Sequence, residues 1–182
     1  MERLDFFVHE VFKLKRKKRA GWIRHDVENS ESVAEHSFGT AILALILSHR
    51  FGLDSDKTTK MALVHDFAEY SVPDFTPFDD ISQEEKFRLE KEAIENISST
   101  LEDGEEILSL WQEFENGETN ESKFVRKLDK LEMMFQTIEY AEEQPDKDLE
   151  LFWKMIESFE FGELKEIFES LRNKKQASKI KD

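Results

Sequence analysis

Cysteine is absent from the 182 residues. Disulfides, thiolate metal sites and a cysteine nucleophile are thereby excluded, and a cytoplasmic setting fits such a composition. Proline occurs only at Pro73, Pro77 and Pro145, and glycine is nearly as sparse. So few chain breakers permit long helices and argue against a many-turned β architecture. No secretory signal is visible. The longest strongly apolar run, Ala41 to Leu47, is far too short to span a bilayer, so no membrane role is expected. It reads instead as a helix buried on most sides. Basic residues are outnumbered, with 26 Lys and Arg against 41 Asp and Glu. The formal net charge of -15 would repel a phosphate backbone and argues against nonspecific nucleic-acid binding.

What is present is apolar bulk at helical spacing. Sixteen phenylalanines offer large surfaces for helix packing. The chain length fits one domain with a substantial core, read as residues 1–173 followed by a polar tail, 174–182. Leu4, Phe7, Val8, Val11 and Phe12 predict an amphipathic helix ending near Lys15. A basic segment follows. From Lys13 to His25 it holds Lys13, Lys15, Arg16, Lys17, Lys18, Arg19 and Arg24 and no acid. It is either a solvated helix end and loop or a positive rim that draws in a small anion.

Ser30 or Ser32 can cap a helix carrying His36 and running to about Phe51. Another helix is expected over about Lys57 to Tyr70, then an irregular segment, Ser71 to Ile81, around Pro73 and Pro77. Ser82 to Glu85 resembles a capping box for a charged helix to about Leu101. Further helices are expected over Glu105 to Phe114, about Glu121 to Glu142, Leu149 to Phe159 and Glu163 to Leu171. The longest has a stripe at Phe124, Leu128, Leu131, Phe135 and Ile138. The expected architecture is all-α, one domain of about seven helices.

Chemistry concentrates in the run Met61 to Glu69, which contains the adjacent pair His65-Asp66. On a helix, Glu69 shares a side with both. A His, an Asp and a Glu in an otherwise apolar helix demand partners, because burying them alone is costly. Asp129 sits at the edge of the buried stripe, and His36 just precedes the apolar run. Two imidazoles and two carboxylates can hold one divalent ion. Nitrogen and oxygen donors without sulfur suit Mn²⁺, Co²⁺, Fe²⁺, Ni²⁺ or Zn²⁺. His9, His25 and His49 fall in no such pattern and read as structural.

With these residues in hand, the chain resembles the HD-domain superfamily of metal-dependent phosphohydrolases, and within it the 5′-deoxynucleotidase branch. The resemblance covers about Phe6 to Tyr140. Its strongest segments are Arg19 to Trp22, Glu31 to His36, Ala62 to Glu69, Glu84 to Lys86 and Phe124 to Met133. It implies an all-α fold and one metal held by His36, His65, Asp66 and Asp129. Glu69 then lies near the scissile phosphate as the acid, and Asp66 faces the attacking water. Asp74 matches a second functional carboxylate, although Pro73 replaces a glycine common before it. Arg19 and Trp22 match a substrate-contacting segment, with a core role for Trp22 equally open. The implied substrate is a deoxyribonucleoside 5′-monophosphate, and the implied assembly is a homodimer. Other HD-type activities, phosphodiesterase or nucleotide pyrophosphohydrolase, remain alternatives. So does a noncatalytic nucleotide- or metal-binding module.

Overall fold

A computed structural model describes residues 2–76 and 79–178. Pro77, and residues 179–182 of the polar tail, lie outside the described residues. The α-helices are α1 (Glu2–Val11), α2 (Ala20–Arg24), α3 (Val33–Leu47), α4 (Ser55–Val64), α5 (Gln83–Ser98), α6 (Glu105–Asn116), α7 (Asn120–Glu143), α8 (Glu150–Glu157) and α9 (Lys165–Ser178). Tighter 3₁₀ turns extend α1 over Phe12–Lys15 and α3 over Ser48–Phe51, and another covers Phe67–Tyr70. Among the described residues the β structure is one isolated antiparallel bridge, Lys18 to Ser32. The fold is all-α, as expected.

The helix starts follow local chemistry. Ser32 caps α3 in a reciprocal box: its hydroxyl accepts from the Glu35 amide, and its own amide donates to the Glu35 carboxylate. Asp54 and Thr119 cap α4 and α7 in the same one-sided way as Ser82 caps α5. At Ser82 the expected box is half made, because the Glu85 carboxylate turns to Arg88 instead. Gly117, at φ +63°, ends α6 in the left-handed conformation.

α3 packs on α4 and α7, and these three enclose the centre of the core. Phe124, Leu128, Leu131 and Met134 of α7 are fully buried, each worth about 1.5–3 kcal/mol over exposure. Phe135 departs from the expected stripe and faces outward, 39% exposed.

Three further features differ from the sequence expectation. The basic segment contains α2, which the sequence reading left as loop. α4 stops at Val64 rather than Tyr70: Asp66 leaves helical geometry at φ −102°, ψ 15°, and the chain resumes as a 3₁₀ turn. The apolar run of α3 is not buried on most sides, because Phe38 (63% exposed), Ile42, Leu45 (55%) and Ile46 (52%) form an outward face. No helix among the described residues is long and apolar enough to cross a membrane.

Candidate active site

The break after α4 builds the site. His65 closes α4 and Asp66 occupies the turn beyond it, so both lean toward α3, which delivers His36, and α7, which delivers Asp129. Each imidazole is held from behind. His36 Nδ1–H donates to the Glu132 carboxylate at 2.5 Å, and His65 Nδ1–H donates to the Ala62 carbonyl at 2.7 Å. Both rings therefore turn Nε2 inward. These two buried nitrogens have no hydrogen-bond partner. His36 Nε2 lies 3.2 Å from Asp129 and 3.9 Å from Asp66, and His65 Nε2 lies 3.3 Å from Asp66, as contacts without hydrogen-bond alignment. Donor atoms of His36, His65 and Asp66 lie within 4.8 Å of one another. Orphaned imidazole nitrogens facing carboxylates are a donor set that fits a divalent cation.

The electrostatics favour positive charge at this point. Burial and the Arg19 cation depress the His36 pKa, but the Asp129 and Glu132 carboxylates outweigh them and push it up to about 10. Burial opposes ionisation of Asp66, yet His65, Arg19 and His36 hold its carboxyl well below the usual range. Asp129 is likewise held low against burial by Lys130, at 3.0 Å, and the two imidazoles.

Glu69 behaves in the opposite way. Burial, with Asp66 and Asp74 nearby, holds its carboxyl well above the usual range. That favours the protonated form a general acid needs. Its Oε2 is buried and without a hydrogen-bond partner. Arg19 stands between the two acids, 2.9 Å from Asp66 and 4.0 Å from Glu69. Burial works against the Arg19 cation, but Asp66, Asp74 and Glu69 more than restore it.

Asp74 is drawn toward the same place but is already engaged, accepting the Ala20 amide at 2.7 Å. It fastens residues 71–76 to the start of α2. Trp22 is a core side chain: 2% exposed, stacked on Phe152 at 4.0 Å, with its indole N–H given to Glu31.

Two cavities meet at this cluster. One, of about 510 Å³, is lined by His65, Asp66, Glu69 and Asp129. The other, of about 320 Å³, is walled by Trp22, Phe75, Met133, Phe152 and Met155. Arg19, Asp74, Phe75, Gln83, Lys86 and Lys130 belong to both. A polar basin thus opens through a cationic margin into a smaller one of mixed character, where aromatic and methionine side chains stand beside Arg24, Asp79 and Lys86, an arrangement suited to a small ligand with a phosphate at one end.

A family model described as HD domain matches residues 11–172. The chain belongs to the HD-domain family. It falls in the 5′-deoxynucleotidase branch by its relatives. This HD-domain chain is 47% identical over 142 residues to the 5′-deoxynucleotidase HDDC2 of Dictyostelium discoideum, covering 73% of this chain and 74% of that one. It is 35% identical over 176 residues to HDDC2 of Mus musculus, covering 94% and 88%. A conserved hypothetical protein from Pyrococcus furiosus has a similar structure, with TM-score 0.76 and 29% identity over 92% of this chain and 98% of that one. A Magnetospirillum magnetotacticum protein described as a predicted metal-dependent phosphohydrolase gives TM-score 0.64 and 28% identity over 75% and 69%.

The structure brings to this cluster several residues that stood out little in the sequence. Lys17 turns inward, donating to the Glu69 carbonyl at 2.6 Å and to the Val72 carbonyl, with its ammonium 3.9 Å from the Glu69 carboxylate. Its signal was the basic segment, where it could not be told from its exposed neighbours Lys15 and Arg16. Glu132 had one usable signal, an acid set among the buried Leu131, Met133 and Met134. Lys86 and Glu90, 3.4 Å apart, line the larger cavity from α5.

Proposed function

We propose that this HD-domain protein is a metal-dependent phosphomonoesterase that hydrolyses deoxyribonucleoside 5′-monophosphates to deoxyribonucleoside and phosphate. The observation that carries the reading is the convergence of two unpartnered imidazole nitrogens with Asp66 and Asp129, beside a Glu69 that favours its proton. The deoxynucleotide class rests on the names of the relatives.

His36, His65, Asp66 and Asp129 would hold one divalent ion, from the set Mn²⁺, Co²⁺, Fe²⁺, Ni²⁺ and Zn²⁺. Bound there, the ion supplies Lewis acidity that activates a water and polarises a phosphoryl oxygen. Arg19 pairs with the phosphate oxygens, exchanging part of its bond to Asp66 for them. Lys17 adds positive charge at the Glu69 end. Asp66, fixed in the turn after α4, accepts a hydrogen bond from the attacking water and aligns it with phosphorus. As the bond from phosphorus to the sugar 5′-oxygen breaks, Glu69 delivers its proton to that oxygen. The neutral nucleoside leaves through the smaller cavity, over Phe75 and Met133. Asp74 keeps the 71–81 segment and Arg19 in register, and Trp22 supports the wall from within the core.

The reading includes a single HD domain over residues 1–173 and a cytoplasmic homodimer. The outward apolar face of α3, with Phe38, Ile42, Leu45 and Ile46, supports self-association. A monomeric mass by light scattering at micromolar concentration would remove the dimer.

The deciding assay incubates metal-stripped protein with ribo and deoxy 5′- and 3′-monophosphates, cyclic nucleotides and nucleoside triphosphates, adding each divalent metal in turn. Phosphate release from deoxy 5′-monophosphates is expected. Preference for a cyclic nucleotide or triphosphate would point to the other HD-type activities. No turnover with any metal would leave a noncatalytic binding module.

A further inference from the structure

We propose that Glu132 is the positioning residue that orients His36 toward the metal, and that Gly39 is present to make room for it. The inference rests on the reading of the His36 cluster as a metal centre.

The two imidazoles of the cluster are held differently. His65 is fixed by a main-chain carbonyl of its own helix, three residues back. His36 makes no bond of that kind, and the carbonyl three residues before it, Val33, accepts the Ser37 hydroxyl. Its Nδ1 is satisfied from another helix, by Glu132 of α7, 96 residues away in sequence. His36 is fully buried and Glu132 nearly so. A carboxylate behind a ligating imidazole fixes the ring and raises its basicity, so its loss is felt at the metal.

Glu31, His36 and Glu132 also form a compact group of the kind that can hold an ion. The spacing speaks against that. At 2.5 Å, His36 Nδ1 and the Glu132 oxygen are already in direct hydrogen bond, and an ion between them needs about 2 Å to each. Glu31 spends one oxygen on the Trp22 indole.

Gly39 lies three residues beyond His36, on the same side of α3. It sits inside a regular helix, where glycine weakens the structure and no left-handed conformation calls for it. A Cβ there would stand 2.7 Å from Glu132 Oε1 and 3.0 Å from its Cγ. The glycine is the space the carboxylate occupies. An alanine Cβ would displace atoms of a flexible side chain rather than backbone, so the helix would keep its place while the contact to His36 shifted.

The test measures Co²⁺ affinity of metal-stripped protein by competition with a chromogenic chelator, together with the visible spectrum of bound Co²⁺ and the melting temperature of the metal-free form. Glu132→Ala is expected to weaken Co²⁺ by about 10–100-fold and to alter the spectrum. Glu132→Gln still accepts from Nδ1–H and should recover most of the affinity. Gly39→Ala should weaken Co²⁺ in the same direction with no fall in metal-free melting temperature. Wild-type affinity and spectrum in Glu132→Ala or in Gly39→Ala would overturn the proposal, as would Glu132→Gln binding no better than Glu132→Ala. If Glu132→Ala does not fold, Gly39→Ala decides alone. Wild-type protein that fails to bind Co²⁺ would instead overturn the metal-centre reading itself, and the proposal with it.

Discussion

The two cavities are built by different means. The metal-site cluster at the polar basin takes His36 from α3, His65 and Asp66 from the end of α4 and Asp129 from α7, elements whose surrounding residues Val33, Met61, Phe124 and Leu128 are fully buried. The smaller basin takes much of its wall from the five-residue α2, residues 74–76 with Asp79 and Ile81, and α8. Those walls are fastened by a few polar links: the Ala20 amide to Asp74, Lys17 to the Val72 carbonyl, and the Thr76 amide and hydroxyl to Asp79. The contrast teaches a division of labour. Groups that must stay within a few tenths of an ångström stand on packed helices. Groups that meet the variable part of a ligand stand on short segments that can change with little cost to the core.

Substitutions can break that contrast where it is strongest. His65→Ala or Asp129→Ala should abolish both tight metal binding and phosphate release while α3, α4 and α7 stay assembled, checked by metal analysis and circular dichroism. If either variant kept its metal and full activity, the polar basin would not be the metal centre. Next in size, Glu69→Gln should lower kcat by about 10²–10⁴-fold with a much smaller change in KM. A larger effect on KM than on kcat would make Glu69 a binding group instead of the acid.

The smallest effect concerns stability at the margin between the basins. Burial is the main cause that pushes the Glu90 carboxyl up to about 7, against the pull of Lys86. An unfolded glutamate ionises near pH 4.3. The folded state therefore holds the Glu90 proton more tightly, and the resulting stability is whole below about pH 4 and lost as pH rises through 7. Glu90→Gln removes that dependence. The variant should melt at a higher temperature than wild type at pH 8, by an amount corresponding to at most about 4 kcal/mol, and the gap should narrow toward pH 5. A constant gap across that range would assign the effect to something other than this proton.

Much of the fold was legible because its signals are local. Ser32 and Asp54 announce helix starts through their own side chains, and the four-three spacing of Phe124, Leu128 and Leu131 marks the buried side of α7. His36, His65, Asp66 and Asp129 stood out as polar groups at apolar positions, and the structure brings them side by side. The end of α4 was not legible. Phe67, Ala68 and Glu69 are acceptable helix residues, and no glycine or proline stands near, so only tertiary packing turns the chain at Asp66. The outward face of α3 was hidden because a helix apolar on every side has no periodicity to read. Glu132 was hidden for the opposite reason: an acid on a charged helix looks like surface until the partner on another helix is known.

The early stop of α4 has an electrostatic consequence. A helix carries roughly half a negative charge at its carboxyl end. Because α4 ends at Val64 and hands the chain directly to His65 and Asp66, that end lies beside the inward nitrogens. The main chain itself adds to the attraction for a cation, a contribution no side-chain substitution removes. The same field opposes an arriving phosphate, and Arg19 and Lys17, threaded in from a chain of net charge -15, stand where that opposition must be cancelled.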